Sequence, residues 1–215
     1  METHAHPSAS KLPGLFSGLI ERLVRVLASL GFWRKYSSRR LVRIIEAHQL
    51  WFSSRQKLGS RAILSGANLK GTSLTEADLR GADFCRACLT QSIMNMADLR
   101  EADLSSANLQ QAEMRDTDLR EANLSQAVLT DADLTRSNLI MANLSRATME
   151  GCILRDANLF RTYLKGAILG SADLRGADLR EANLSQTDLH HADFSHANLI
   201  MANLSLANLN TADLK

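Results

Sequence analysis

A large apolar residue recurs at every fifth position of the chain from Leu64 to Leu214, without exception. These 31 positions hold Leu, Met or Phe, and the residue two places before each of them is small, most often Ala. A period of five fits neither an α-helix, which turns in about 3.6 residues, nor a β-strand, which alternates about every 2. The pattern therefore predicts a backbone that runs along a flat side and then bends once per repeat, as in a solenoid.

Longer identities along the chain predict how many repeats complete one coil. The segment 97–102 (ADLREA) returns twenty residues later as 117–122 (TDLREA). Twenty residues are four repeats, so we predict a coil with four sides. A longer copy, 117–127 against 177–187, is spaced by sixty residues, which is three whole coils. The 31 repeats then give nearly eight coils, a rod of roughly 37 Å at the usual strand spacing.

The repeat Ala-(Asp/Asn)-Leu-x-x resembles that of the pentapeptide-repeat family over residues 62–215. The resemblance implies an all-β solenoid, a right-handed quadrilateral β-helix, in which the large and the small residue point inward and the other three positions face water. Asp or Asn precedes most of the large residues, and we place the corner there because these side chains bond nearby backbone amides. Apolar residues at that same position are predicted to point outward: Ile93, Val128, Ile153, Tyr163 and Ile168.

The beginning of the chain differs from the repeats in composition. Residues 1–61 hold eleven basic and three acidic residues, a net +8, whereas the remainder holds 14 basic and 20 acidic residues, a net −6. We predict a disordered tail and a basic amphipathic helix within 1–36, a capping helix within 37–61, and the β-helix over 62–215. The capping helix should cover the first ring of leucines, with Ile45, Trp51 and Phe52 as the candidate capping residues.

The amphipathic stretch 15–30 has two open interpretations. Its apolar residues fall at helical spacing, and Glu21, Arg22 and Arg25 lie opposite. These charges argue against a transmembrane span. The stretch then either lies on an anionic membrane surface or packs on the cap or on a partner. We expect a cytoplasmic protein, with peripheral membrane contact as the alternative.

No catalytic arrangement stands out from the repeat. Cys85 and Cys88 form a C-x-x-C motif, but the second pair of ligands that a zinc site needs is missing, so free thiols are favoured. The histidines near the end of the chain are interpreted as solvated surface: His190, His191 and His196. We therefore predict no enzymatic activity, no cofactor and no metal site.

Residues twenty apart should stack into surface columns. One such column reads Arg80, Arg100, Arg120, Ile140, Phe160, Arg180 and Ile200. Acidic residues flank its arginines, which favours a salt-bridged face over a phosphate-binding one, so nucleic acid is not a favoured partner. The interruption of the arginine column predicts an exposed apolar patch for a partner protein, formed by Ile140, Met141, Phe160 and Tyr163. A second patch is predicted at Ile200, Met201 and Leu206. The alternative is scattered apolar residues without a role.

The leading functional interpretation is a rigid, non-enzymatic scaffold that presents its faces to another protein. The resemblance implies a second one, a DNA-mimicking binder or protector of DNA gyrase or another topoisomerase. The modest net −6 of the repeats and their many arginines weaken that alternative. At the far end, Leu204, Leu209 and Leu214 should be exposed in the last coil. Such an edge predicts a homodimer joined end to end, a mode of association that the resemblance also implies.

Overall fold

The computed structural model of the protein describes residues 38–215. The predicted tail and first helix, including the stretch 15–30, lie outside the described residues. The described chain begins with one α-helix, α1 (Ser38–Ser53), and continues as a solenoid over the repeats. Within residues 38–215, no helix combines the length and the apolar character needed to cross a bilayer.

Four sides make each coil of the solenoid. The residue before each large apolar residue forms a parallel bridge with the residue twenty positions later, from Ile63–Asp83 through to Asp193–Asp213. Each flat side pairs through one such residue, so the sides are isolated bridges rather than longer strands. This pairing confirms the four-sided coil, and the fold is a right-handed quadrilateral β-helix preceded by a helical segment.

The backbone amides explain why the coil is stable, and the repeat 102–106 shows the pattern. The amides of Asp103, Leu104 and Ser106 donate to carbonyls of the neighbouring coils over 2.7–2.9 Å. The amide of Ala102 closes a turn onto the preceding large residue at 3.1 Å. The amide of Ser105 donates to Oδ1 of Asp103 at 3.0 Å. Every N–H of the repeat is therefore paired, as buried backbone requires.

The corner of the coil lies at the two residues that follow each large residue. The prediction that placed it at Asp or Asn is wrong, because that residue occupies the bridge position of the flat side. The second corner residue has a positive φ at every such position from Gly66 to Thr211, between +54° and +68°, as at Gly66 (+62°) and Gln126 (+59°). The Asp or Asn side chain instead reaches forward to the first corner amide, so it fixes the corner without being part of it.

The core is one continuous column of inward residues. Every large residue from Leu64 to Leu189 is fully buried, and the small residues between them are buried as well. Each buried Leu contributes about 1.5–3 kcal/mol, and no coil could bury its ring without its neighbours. In the last coil, Leu204 and Leu209 are half-buried and Leu214 is exposed.

The helix α1 covers the first coil. Its buried face consists of Leu41, Val42, Ile45 and His48, so Ile45 lies where a capping residue is expected. The other two predicted capping residues, Trp51 and Phe52, are half-buried at the edge of this face.

Candidate interaction surface

One side of the coil, which we call the ladder face, carries residues 78 and 80 and their equivalents every twenty residues. In each of the first three coils, an Asp pairs with the Arg two residues later. The Nη2–Oδ2 distances are 2.5 to 2.7 Å in the pairs Arg80–Asp78, Arg100–Asp98 and Arg120–Asp118. The arginines also approach the carboxylate of the next coil, with Nε–Oδ2 distances of 3.4 Å for Arg80–Asp98 and 3.5 Å for Arg100–Asp118.

These contacts balance the negative charge of the ladder-face carboxylates with the positive charge of the arginines. Burial alone would raise the pKa of Asp118, but hydrogen bonds and the positive charge of Arg120 hold that pKa below its usual value. The pKa of Asp178 is lowered chiefly by its hydrogen bond from Arg180. The face is therefore polar but locally neutral, in agreement with the salt-bridged surface that the sequence predicts.

The fourth and fifth coils interrupt this ladder in both of its columns. Ile140 and Phe160 replace the arginines, and Asn138 and Asn158 replace the aspartates of the same repeats. Each Asn still accepts a hydrogen bond from the first corner amide. The distance is 3.3 Å from the amide of Ile140 to Oδ1 of Asn138 and 3.1 Å from the amide of Phe160 to Oδ1 of Asn158. The exchange thus keeps the hydrogen bond that the fold needs and removes a carboxylate that would have no cation beside it. An unpaired charge next to an apolar contact surface would be costly to desolvate.

Four of the predicted patch residues lie together around one edge of the rod. Ile140 and Phe160 stack on neighbouring coils and are half-buried. Met141 occupies the adjoining corner, where its amide donates to the carbonyl of Phe160 at 3.1 Å, and it is 43% exposed. Tyr163 follows on the next side of the coil and is 49% exposed. We call these four residues the apolar patch. The second predicted patch, Ile200, Met201 and Leu206, lies about two coils further along, and its three side chains are strongly exposed.

The ring of Phe160 is flanked by two cations. The guanidinium carbons of Arg161 and Arg180 lie 4.9 and 5.5 Å from its centroid, within the range of cation–π attraction. Arg161 pairs in turn with Glu181, over 2.7 Å, and Arg180 pairs with Asp178, over 2.7 Å. These contacts hold the ring in place at the boundary between the apolar patch and the charged rung that follows.

The cysteines and histidines of the described residues form no common site. Cys85 and Cys88 are half-exposed on adjacent sides of the coil, whereas Cys152 is buried inside it and burial raises the pKa of its thiol. His190 contacts Asp188, with Nδ1 and Oδ1 3.0 Å apart. Among the side chains of residues 38–215, no three potential metal ligands come together.

Sequence reasoning missed His48, which joins the cap to the solenoid. Its side chain is fully buried, and Nδ1 accepts the amide of Ala62, the first small inward residue, at 3.1 Å. The signal was present in the spacing, because His48 follows Leu41 and Ile45 on one face of a helix. The neutral pair Asn138 and Asn158 was also visible as a change within a stacked column.

The repeats that build this geometry are similar to those of known proteins. A family model described as pentapeptide repeats matches in eight copies, over residues 60–91, 89–120, 117–156, 157–195 and 187–215. The search of curated proteins gave no match.

Two solved structures illustrate the likeness. One is HetL, a pentapeptide repeat protein involved in heterocyst differentiation regulation from the cyanobacterium Nostoc sp. strain PCC 7120. It is 29% identical, with 78% of this chain and 93% of that chain covered and a TM-score of 0.56. The other is QnrB1, a plasmid-mediated fluoroquinolone resistance protein, at 23% identity, coverage of 67% and 78%, and a TM-score of 0.60. The likeness to QnrB1 concerns the fold alone. The chain described here belongs to the pentapeptide-repeat family.

Proposed function

We propose that this protein is a non-enzymatic scaffold that binds a partner protein through the apolar patch. The observation that carries the proposal is the paired exchange on the ladder face. Two successive rungs lose the cation and the anion together and gain Ile140 and Phe160 in their place. Exposed, contiguous apolar side chains on a soluble surface are typical of interaction sites.

The backbone beneath the patch favours binding. The amides of Ile140 and Phe160 donate to the Asn caps, and those of Met141 and Tyr163 donate to carbonyls of neighbouring coils, so the patch is held by the solenoid before any partner arrives. A preorganised surface loses little conformational entropy on binding. The patch also contains two aromatic residues, Phe160 and Tyr163, and aromatic side chains are enriched among residues that dominate protein interfaces.

The likeness to HetL, which is involved in heterocyst differentiation regulation, supports a regulatory scaffold rather than an enzyme. The DNA-mimicking alternative receives less support from the surface. A mimic of duplex DNA presents unpaired negative charge, whereas the carboxylates of the ladder face are paired with arginines at 2.5 to 2.7 Å.

The chain itself supplies the template for a sharp test. A ladder-restored variant (N138D/I140R/N158D/F160R) replaces the residues of the two interrupted rungs with the Asp and Arg that occupy the first three rungs. The matched control (D98N/R100I/D118N/R120F) makes the reverse exchange two coils earlier and leaves the patch intact. Both variants keep every inward residue, and circular dichroism should show both folded.

Affinity capture from the native host should enrich a protein with the wild type and the control but not with the ladder-restored variant. With that partner purified, calorimetry should show its Kd rising by about 30-fold or more in the ladder-restored variant, as expected on losing a central hot spot. If every captured protein binds all three forms equally, the apolar patch is not the binding site.

A further inference from the structure

The end of the rod that carries α1 is basic, whereas the rod itself is acidic. Residues 38–61 hold six basic residues and one acidic residue, a net +5, while residues 62–215 have a net −6. The two signs are thus separated along the length of the molecule. The first 37 residues have the same sign, with five basic and two acidic residues, a net +3.

Four of these basic residues are exposed and have no acidic partner within residues 38–215. Arg39 and Arg43 lie four residues apart on α1, and therefore on one side of the helix. Arg55 and Lys57 follow in the loop after the helix. Among the described residues, no carboxylate lies within salt-bridge distance of these four side chains, unlike the arginines of the ladder face.

Two leucines are exposed within this basic surface. Leu50 is 42% exposed and Leu58 is 60% exposed. Ser54 holds their backbones close together, because its amide donates to the carbonyl of Leu50 at 3.0 Å and its hydroxyl accepts the amide of Leu58 at 2.9 Å. The leucines therefore stand at the C-terminal end of α1, with Arg55 and Lys57 between them in the chain.

The loop that carries Leu58 is packed tightly onto α1. Gly59 has a φ of +77°, and a Cβ at this position would lie 2.2 Å from the carbonyl oxygen of Ala47 and 2.8 Å from the amide nitrogen of Trp51. The amide of Ser60 donates to the same carbonyl of Ala47 at 3.1 Å. Only glycine permits this approach. The leucines and cations are thus presented on a preformed surface.

We propose that this surface, formed by Arg39, Arg43, Leu50, Arg55, Lys57 and Leu58, docks on an anionic lipid bilayer. Apolar side chains set among basic ones are typical of segments that lie in the membrane interface, where cations meet the headgroups and leucines enter the acyl boundary. A nucleic acid would use the cations but leave the leucines without a role. The apolar patch lies in the fourth and fifth coils, roughly 20 Å along the rod, so the docked protein leaves it free for its partner.

The proposal is tested by sedimenting the full-length protein with lipid vesicles. Vesicles of phosphatidylcholine mixed with phosphatidylserine should carry the protein down, and vesicles of phosphatidylcholine alone should not. Arg55→Glu combined with Lys57→Glu should lower the partition coefficient by about 30-fold or more, since each surface cation contributes roughly fivefold. The matched control is Arg146→Glu with Lys165→Glu, which makes the same change of net charge at exposed positions in the middle of the rod and should bind as the wild type does.

A second pair of variants tests the leucines. Leu58→Asp should weaken sedimentation, whereas Leu206→Asp, at an 83% exposed position near the other end, should not. Failure of the wild type to bind the anionic vesicles would overturn the proposal. Equal binding by the 55/57 variant and its control would overturn it too, because another part of the chain would then hold the lipid. Equal effects of the two Asp variants would overturn it as well, because the leucines would then have no part in binding. Binding to duplex DNA without binding to vesicles would assign the surface to nucleic acid.

Discussion

Two inward serines test how well the interior of the solenoid satisfies its polar groups. Ser92 and Ser137 are at most 1% exposed, and neither hydroxyl has a hydrogen-bond partner among the described residues. Thr162 occupies the same inward position in another repeat, but its hydroxyl donates to the carbonyl of Leu139 at 2.8 Å. The fold therefore contains both a satisfied and an unsatisfied hydroxyl in equivalent surroundings.

The two cases should respond in opposite directions when the hydroxyl is removed. A buried hydroxyl without a partner costs about 1–3 kcal/mol. Ser137→Ala should therefore raise the free energy of unfolding by about 1 kcal/mol, at the low end of this range, because a small cavity remains. Thr162→Val keeps the shape and removes a donor, so it should lower that free energy by about 1 kcal/mol. The loss stays small because the carbonyl of Leu139 also accepts the amide of Ala142 at 2.9 Å.

Urea unfolding followed by circular dichroism measures both changes. The midpoints should move in opposite directions while the slope of free energy against urea stays constant, since neither variant alters the surface exposed on unfolding. If Ser137→Ala destabilises the protein as much as Thr162→Val does, the hydroxyl of Ser137 has a partner and the reasoning fails.

Four further predictions concern the cap, the coil, the open end and the alternative function. Burial lowers the pKa of His48, while the charge of Asp78 and the backbone of Arg80 act to raise it and the positive charges of Arg61 and Arg80 act to lower it. The folded state thus holds the neutral ring, and the free energy of unfolding should fall by up to about 1.4 kcal/mol per unit as pH drops below about 6.5, until the lowered pKa is reached. His48→Gln should flatten this slope above about pH 5, and an unchanged slope would contradict the assignment. Deletion of residues 98–117 joins Ala97 to Asp118 and restores the native sequence at the junction, so X-ray scattering should show a folded rod shorter by about 4.8 Å. Loss of cooperative unfolding would speak against the four-sided coil. The exposed last coil predicts a homodimer, so light scattering should give twice the 23.7 kDa chain mass and Leu209→Glu should halve it. A wild-type monomer would exclude that contact. Purified gyrase should supercoil DNA normally in the presence of the protein, and salt-sensitive inhibition would favour the DNA-mimicking alternative.

The inward half of the fold was predictable because the fold imposes the same demand 31 times. Each repeat needs one large and one small inward residue, so the register is fixed by many independent positions and tolerates exchanges such as Phe84 or Cys152. The corner was misplaced for a local reason. An Asp or Asn at the bridge position bonds the amide two residues later, as Asp103 does with Ser105. An Asp or Asn therefore indicates that a corner follows, but the residue itself lies on the flat side, two positions before the first corner residue.

The apolar patch was only partly predictable. The twenty-residue stacking brought Ile140 and Phe160 into one column, and the structure places Tyr163 beside them around the corner. Exposure could not be deduced in the same way, because it depends on side chains from neighbouring coils, such as Arg161 against the ring of Phe160. The role of His48 depends on the contact between α1 and the first coil. The repeat pattern of the sequence gives no information about that contact.

The division between inward and outward positions also limits where function can lie in this molecule. The two inward residues of each repeat are fixed by packing, and the residue before the large one is usually fixed by its bond to the corner amide. Variation at the remaining positions costs the fold little, so a concerted change there needs an explanation outside folding.

The exchange of Asp and Arg for Asn and Ile, or Asn and Phe, is such a change. It preserves the corner hydrogen bond at both repeats, and it removes charge of both signs from two adjacent rungs of a face whose first three rungs are salt-bridged. The rung of Asn198 and Ile200 shows the same exchange. Independent single substitutions would remove one partner of an Asp–Arg pair and leave the charge of the other unpaired. Loss of both together in two adjacent coils is what a binding surface for an apolar partner requires, because stranded charges oppose desolvation.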